Sequence, residues 1–400
     1  MRHSLKILIL AAAYIANTMG AGAQESYLDR LAEQILSSNP ELASMRHAAN
    51  AEDYSMKAGN QLDAPEIEVE HLFGEAGVKN KTGITVSQSF DWPGAYRARS
   101  KAADLSRRAR QLSLQAAYRD KVQEAKLLML DIIYCRARKD MLDSAYENVS
   151  QLLDFTVKAY DNGELTILDV NRLRLSRLSL RSQCSEARIA HQSLMSSLEA
   201  LAGHRDVSSV WEALTDFPYE PILPEEAYSR AVEESNPAIA AARARAEALR
   251  SQSTAEKLTS YPGFSIGYRY SREEGHDFHG FTAGISLPFL RKNYAAKASA
   301  EQAAAAEFDI LATRSSALSS MYSLRAEATA LAADNEEYAR VFSESDNMRL
   351  LGMAYRGGEM NSLDYLTNIN YFLEARMAAL ESQYKREVAA VRLNSLLPAE

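Results

Sequence analysis

Ala159-Tyr160-Asp161-Asn162-Gly163-Glu164 returns 195 positions later as Ala354-Tyr355-Arg356-Gly357-Gly358-Glu359. Each copy separates two long stretches free of helix breakers. Neither glycine nor proline occurs from Ala95 to Tyr160 or between Gly163 and Gly203; the same holds from Phe289 to Leu351 and from Glu359 to Leu397. As a helix, residues 95–160 would extend roughly 100 Å, whereas globular helices average ~10–14 residues. Glycine at a helix end permits the left-handed residue that stops one helix and admits the next. The quoted stretches therefore read as tight turns, each joining a very long outgoing helix to its return.

Side-chain periodicity agrees. Leu128, Ile132, Cys135, Leu142, Tyr146, Val149 and Leu153 follow alternating spacings of four and three, with Lys139 as the charged exception. Val170, Leu173, Leu180, Cys184, Ala187, Leu194, Leu198 and Leu201 do the same on the return, with Arg177 and His191 as exceptions. Such a seam places helices side by side at shallow angles.

The repeat extends beyond the turns. Asn39-Pro40 returns as Asn236-Pro237 and Pro65 as Pro262, both 197 positions on, and Gly83-Ile84-Thr85 returns as Gly280-Phe281-Thr282. Between these markers lie strand pairs. Ile67, Val69 and Phe73 alternate with Glu66, Glu68 and Glu70; Ile84, Val86 and Phe90 alternate with Thr85, Ser87 and Ser89. In the second copy Phe264, Ile266, Tyr268 and Tyr270 alternate with Ser265, Gly267 and Arg269, and Phe281, Ala283, Ile285 and Leu287 with Thr282, Gly284 and Ser286. Period-two alternation gives each strand one apolar and one polar face. Two hairpins can neither close a barrel nor cover their own edges. A transmembrane barrel assembled from several subunits removes the edges and meets lipid outside and water inside. Glu66, Glu68 and Glu70 then face a lumen.

Composition bounds the function. Apolar residues make up 46% of the 400, and the formal charge of −8 carries no basic stripe of the kind nucleic acid requires. Arg2 and Lys6, the apolar run Ile7–Ala16 and Ala21-Gly22-Ala23 form a secretory signal, so residues 1–23 are expected to be removed and the mature chain to begin near Gln24. With no cysteine near that site, an N-terminal lipid anchor is not expected. The remaining organisation is a first repeat, 24–203 (strand pair 65–91, hairpin 95–203), a linker at 204–224, and a second repeat, 225–400 (strand pair 262–288, hairpin 291–397). Pro218, Pro221 and Pro224 with Trp211 and Phe217 mark that linker as folded. No metal-ligand quartet, nucleophile elbow, phosphate loop or dinucleotide fingerprint appears, so no enzyme, metal or cofactor is expected. His276 and His279 beside Glu273, Glu274 and Asp277 read as a solvated loop. Cys135 and Cys184 lie on the seams as small buried side chains. If the hairpin turns near 163, the residue facing Cys135 lies about eight positions beyond Cys184, too far along the axis for a disulfide.

Taken together, the Asn-Pro after a short helix, the strand pair, the long helix, the Tyr-x-x-Gly turn, and Leu168-Asp169-Val170 with Leu363-Asp364-Tyr365 resemble the TolC family of outer-membrane efflux proteins, over nearly the whole mature chain. The resemblance implies a mostly α, α+β fold: duplicated helical hairpins forming a periplasmic tunnel, plus four strands contributed to a trimeric 12-stranded transmembrane β-barrel. It implies a homotrimer in the cell outer membrane, in contact with its lipid and working with a periplasmic adaptor and an inner-membrane pump. The turns at Gly163 and Gly358 would be the periplasmic tips. Asp169 and Asp364, six residues past those glycines, would form acidic rings at the aperture, with Tyr160 and Tyr355 joining the closing contacts. The family's tip arginine is replaced here by Met360, and its second aspartate by Thr367. The competing reading of the same pattern is a periplasmic coiled-coil adaptor or structural envelope protein that never spans the outer membrane. For Asp169 and Asp364 themselves, the alternative to an aperture role is an N-cap or first-turn residue favoured by the helix dipole.

Overall fold

The computed structural model describes residues 27–74, 80–287, 293–343 and 347–397. The signal segment at 1–23 lies outside these residues, as do parts of the expected strand pairs and second hairpin at 75–79, 288 and 291–292. The first repeat folds as α1 (Tyr27–Leu36), α2 (Pro40–Ala58), β1 (Glu66–Leu72), β2 (Lys81–Phe90), α3 (Pro93–Asp161) and α4 (Ile167–Leu201). After α5 (Ser208–Ala213), the second gives α6 (Glu225–Ser235), α7 (Pro237–Leu258), β3 (Gly263–Glu273), β4 (His276–Ser286), α8 (Tyr294–Ser343), α9 (Asn347–Arg356) and α10 (Ser362–Asn394). The repeated Asn-Pro has a local use. Asn236 caps α7 by accepting from the N–H groups of Ala238 and Ile239, and Pro237 occupies the first turn, where a missing N–H costs nothing.

The chain divides into two compact units, each drawing on both repeats. One comprises residues up to Asn39, Asp120–Tyr228 and everything from Met321; the other comprises Pro40–Arg119 and Ser229–Ser320.

The second unit holds a single antiparallel sheet in the order β1-β2-β3-β4. Its register keeps the two kinds of face apart. Ile67, Val86, Tyr268 and Phe281 pair in succession on one face, and Glu68, Thr85, Arg269 and Gly280 on the other. Among the described residues nothing covers the apolar face: Ile67 is 68% exposed and Phe281 91%. Its α-helical end carries an aromatic group, with Trp92 5.7 Å from Tyr261 and 5.9 Å from Phe264. The polar face is crossed by an ion pair, Arg269 to Glu70 at 2.5 Å, and at its far end by Lys81 to Glu273 at 3.1 Å. Gly267 is required by close packing. A Cβ there would stand 2.7 Å from the Thr282 hydroxyl and 2.8 Å from the Val86 carbonyl oxygen.

In the first unit the seam is the expected one. Leu142, Val149 and Leu153 of α3 pack with Val170, Leu173, Leu180, Cys184 and Ala187 of α4. Lys139 is accommodated by an ion pair to Asp143 at 2.9 Å, and His191 by an edge-on contact with Trp211 at 4.4 Å. Cys135 and Cys184 are free and buried. Cys184 lies against Asp143, eight residues on from Cys135, and the Cys135 thiol instead meets the Ala187 carbonyl at 3.6 Å.

The linker is tied down by buried charge. Arg386 and Glu387 of α10, each with a side chain only 2% exposed, form an ion pair. Arg386 also donates to the Glu220 carbonyl at 2.7 Å, and the Glu220 N–H donates to Glu387 at 3.1 Å. The Tyr219 ring covers the guanidinium at 3.9 Å. Burial raises the pKa of Glu387, and the adjacent Arg386 opposes that shift. Removing one member of such a group strands the other charge in a site without water. Arg386→Ala should therefore cost about 3–5 kcal/mol. Thermal unfolding in detergent measures this, and Arg386→Met combined with Glu387→Gln should recover much of the loss.

Candidate functional site

Both turns are built the same way from the backbone up. At the first, Glu164 N–H bonds to the Ala159 carbonyl at 2.9 Å and Gly163 N–H to that of Tyr160 at 2.9 Å. At the second, Glu359 bonds to Ala354 at 3.0 Å and Gly358 to Tyr355 at 3.1 Å. This is the Schellman arrangement, and it needs a left-handed residue. Gly163 at φ +81° and Gly358 at φ +76° supply it.

The return helices start on equivalent caps. Thr166 accepts from the Asp169 N–H while Asp169 accepts from the Thr166 N–H at 3.1 Å, a reciprocal capping box. Asn361 accepts from the Asp364 N–H at 2.9 Å and donates its side-chain amide to the Asp364 carboxylate at 2.7 Å. Both aspartates thus sit in the first helical turn, where the helix dipole favours negative charge.

Beyond capping, the two diverge. Asp169 uses its second oxygen to accept from the Ser362 hydroxyl at 2.6 Å, with Arg172 3.6 Å away. This bond joins the first hairpin to the second. The hydrogen bonds from Ser362 and Thr166 hold the Asp169 carboxyl below the usual carboxylate range. Asp364 is exposed and engages its own cap. The tyrosines divide likewise. Tyr355 is 6% exposed, with its hydroxyl 3.0 Å from that of Thr156 and its ring 5.0 Å from Tyr365, whereas Tyr160 is 40% exposed. Of the four expected aperture residues, then, Asp169 and Tyr355 lie in the contact between hairpins, while Tyr160 and Asp364 face outward from the single chain. Sequence reasoning missed Ser362 and Thr156, which carry no motif. The caps could have been found from Thr166-x-x-Asp169 and Asn361-x-x-Asp364.

In the sheet, Glu66 and Glu68 are exposed on the polar face, and Glu70 on the same face is offset by Arg269. Among the described residues no group of three or more His, Cys, Asp or Glu could hold a metal ion.

The lowered pKa of Asp169 fixes a sign for pH dependence. Its contribution is present above the unfolded carboxylate value of about 3.9 and disappears as pH falls through the lower folded value. Wild type and Ser362→Ala should accordingly differ in thermal stability at neutral pH, by about 1.5–3 kcal/mol for a hydrogen bond to a charged group. The two melting curves should converge once the pH falls below that lowered folded value.

The sequence matches no protein-family profile and no curated protein. Solved structures do match in fold. The CusC channel aligns with a TM-score of 0.74 at 16% identity, over 93% of this chain and 92% of that one. The Campylobacter jejuni CmeC outer-membrane channel gives 0.73 at 14%, over 92% and 85%. Vibrio cholerae VceC, an outer-membrane protein, gives 0.70 at 17%, over 93% and 97%. The chain therefore has the TolC-like fold of these outer-membrane channels, with long helical hairpins joined to a four-stranded antiparallel sheet.

Proposed function

We propose that this chain is one subunit of a trimeric outer-membrane efflux channel, a passive duct rather than an enzyme. The carrying observation is the sheet, which has two uncovered edges, one exposed apolar face and one exposed polar face. Three copies joined edge to edge make twelve strands without an edge, with the apolar face in lipid and the polar face around water. No described helix is long and apolar enough to cross a membrane; in this reading the crossing falls to the strands, on the strength of their two faces. The helical hairpins stand in the periplasm and narrow at the Gly163 and Gly358 tips. There Asp169, Asp364, Tyr160 and Tyr355 form the gate, and rings of carboxylates favour cations over anions. Energy comes from an inner-membrane pump reached through a periplasmic adaptor. Related folds are known as channels, including Neisseria gonorrhoeae MtrE, solved in an open state.

The two faces supply the test against an adaptor or envelope protein outside the membrane. Val69→Arg or Ile266→Arg should block outer-membrane assembly, at a cost of ~2–4 kcal/mol near the midplane, while Ser286→Arg on the polar face is tolerated. Recovery of folded trimer from the outer-membrane fraction measures it, and equal tolerance on both faces would sink the barrel.

The polar face also sets ion preference. Glu66→Gln with Glu68→Gln should shift planar-bilayer reversal potentials away from cations. Adding Glu70→Gln should shift them further, because it leaves Arg269 unbalanced.

A further inference from the structure

Each of the four places where a helix of the second unit meets the sheet carries aromatic and basic side chains. At three of them a tyrosine is followed three residues later by a cation: Tyr54 and Lys57 near the end of α2, Tyr96 and Arg99 at the start of α3, and Tyr294 and Lys297 at the start of α8. In each pair the cation lies over the ring, at 5.5, 5.3 and 5.9 Å from its centre. The remaining junction, between α7 and β3, has Lys257 and Tyr261. Contacts run from each junction to the next. Arg99 donates to the Gly59 carbonyl at 3.4 Å, Trp92 stands 5.7 Å from Tyr261, and Asn293 donates to the Glu256 carbonyl at 2.9 Å and to Ser260 at 2.7 Å. The junctions therefore form one continuous rim.

Most of the positive charge on this rim is unpaired. Lys57, Arg97, Lys101, Lys257 and Lys297 are exposed and enter no ion pair among the described residues. Against them stand Asp63, Asp91 and Glu256, and Asp91 is engaged by Arg99. This end of the sheet is thus positive in a chain whose formal charge is −8. The opposite end has Glu273, Glu274 and Asp277 against Lys81 and Arg272. Tyr54, Leu62, Tyr261 and Tyr294 are each more than half exposed. From Phe264, beside Trp92, to Arg272, β3 rises roughly 26 Å along its own axis, or about 20 Å of depth at the tilt of a barrel strand. In a barrel the rim and the far end therefore fall at opposite membrane surfaces.

We propose that this rim is a seat for anionic phospholipid headgroups, in the leaflet on the side of the helices. The proposal rests on the barrel reading and adds to it which lipid the barrel selects. Tyrosine and tryptophan settle at headgroup level, because the ring favours the acyl boundary while its hydroxyl or N–H favours water. The neighbouring cations are thereby held at the depth of the phosphates, where each strengthens attraction to an anionic surface about fivefold. A zwitterionic headgroup offsets its phosphate with its own amine and gains less. A second copy does not account for the pattern. Copies meet along the edges of β1 and β4, whereas Arg97, Lys101 and Lys257 stand at the junctions of the central strands β2 and β3.

Trp92 reports on the rim directly, since the other tryptophan, Trp211, lies in the first unit. Full-length protein carrying Trp211→Phe is reconstituted in phosphatidylcholine mixed with brominated phosphatidylglycerol or brominated phosphatidylcholine, and bromine quenches Trp92 where lipid touches it. Quenching should give phosphatidylglycerol an affinity at least about fivefold above phosphatidylcholine, falling toward parity in about 1 M salt. Lys57→Gln, Arg97→Gln and Lys297→Gln together should bring the ratio within about twofold of parity, whereas Lys57→Arg with Lys297→Arg should retain it. With Trp92→Phe, Trp211→Phe and Tyr270→Trp the reporter moves to the far end, where Asp277 offsets Arg272, and the preference should vanish. Equal quenching of Trp92 by the two lipids would overturn the proposal. So would a preference that survives both salt and the glutamine substitutions, or one as strong at position 270. Should the glutamine variant fail to fold, the salt titration decides alone. If neither brominated lipid quenches either reporter in folded protein, the strands do not lie in lipid and the barrel reading itself fails, a result separate from the lipid preference.

Discussion

A sheet of four strands that cannot finish itself is the constraint on which the rest depends. β1 and β4 each leave an edge of unpaired backbone N–H and C=O groups. Water would satisfy those groups, but it would not favour the face bearing Ile67, Val86, Ile266 and Phe281. Packing a helix over that face would solve the second problem and leave the first. Closure with further copies in lipid solves both, because a barrel has no edge and the bilayer is the apolar layer. The polar face then has to line something wet. The paired charges Glu70–Arg269 and Lys81–Glu273 suit that position, since ion pairs in a hydrated lumen carry little desolvation cost.

The duplication has been kept where the backbone demands it and lost where side chains meet. Gly163 and Gly358 hold the same left-handed conformation, and both turns close with the same hydrogen bonds. Any residue with a Cβ would be strained there, so the two turns keep one solution. The caps differ in residue, Thr166 against Asn361, yet perform the same act on an aspartate three residues on. At the tip contacts the halves part company, with Ser362 against Ile167 and Thr156 against Leu351. Ser362 and Thr156 serve the contact of one hairpin with the other inside the chain, and the equivalent positions of the other copy, Ile167 and Leu351, make no such hydrogen bond.

Much of this was legible in the sequence because the signals were local. Long gaps between glycines gave the helices, spacings of three and four gave the buried seam at Leu142, Val149 and Leu173, and alternation gave both faces of the sheet. What escaped depends on residues distant in sequence. Ser362 meets Asp169 across 193 positions, and nothing in the spacing of either points to the other. The Glu66-Glu68-Glu70 row read as three equal carboxylates, but β2 lies between β1 and β3, and only their register places Arg269 within reach of Glu70. Arg386 and Glu387 are adjacent in the chain and would pass for an exposed helical pair; the partner that buries them, Glu220, comes from the linker 166 positions away.

These contacts also differ in strength in a way that bears on movement. The Arg386 group holds charges away from water, so breaking it leaves one of them stranded, at about 3–5 kcal/mol. The contacts between hairpins at the turns rest on hydroxyl hydrogen bonds, of which the one to Asp169 is worth about 1.5–3 kcal/mol and is readily exchanged for water. Parting the hairpins at their turns therefore costs less than freeing the linker from α10. Asp169 and Asp364 each also engage the cap of their own helix, so the caps do not depend on the contact between hairpins. Helix ends capped in this way resist fraying even where the contact between neighbouring hairpins is lost, so a helix pair of this length keeps its form to the turn.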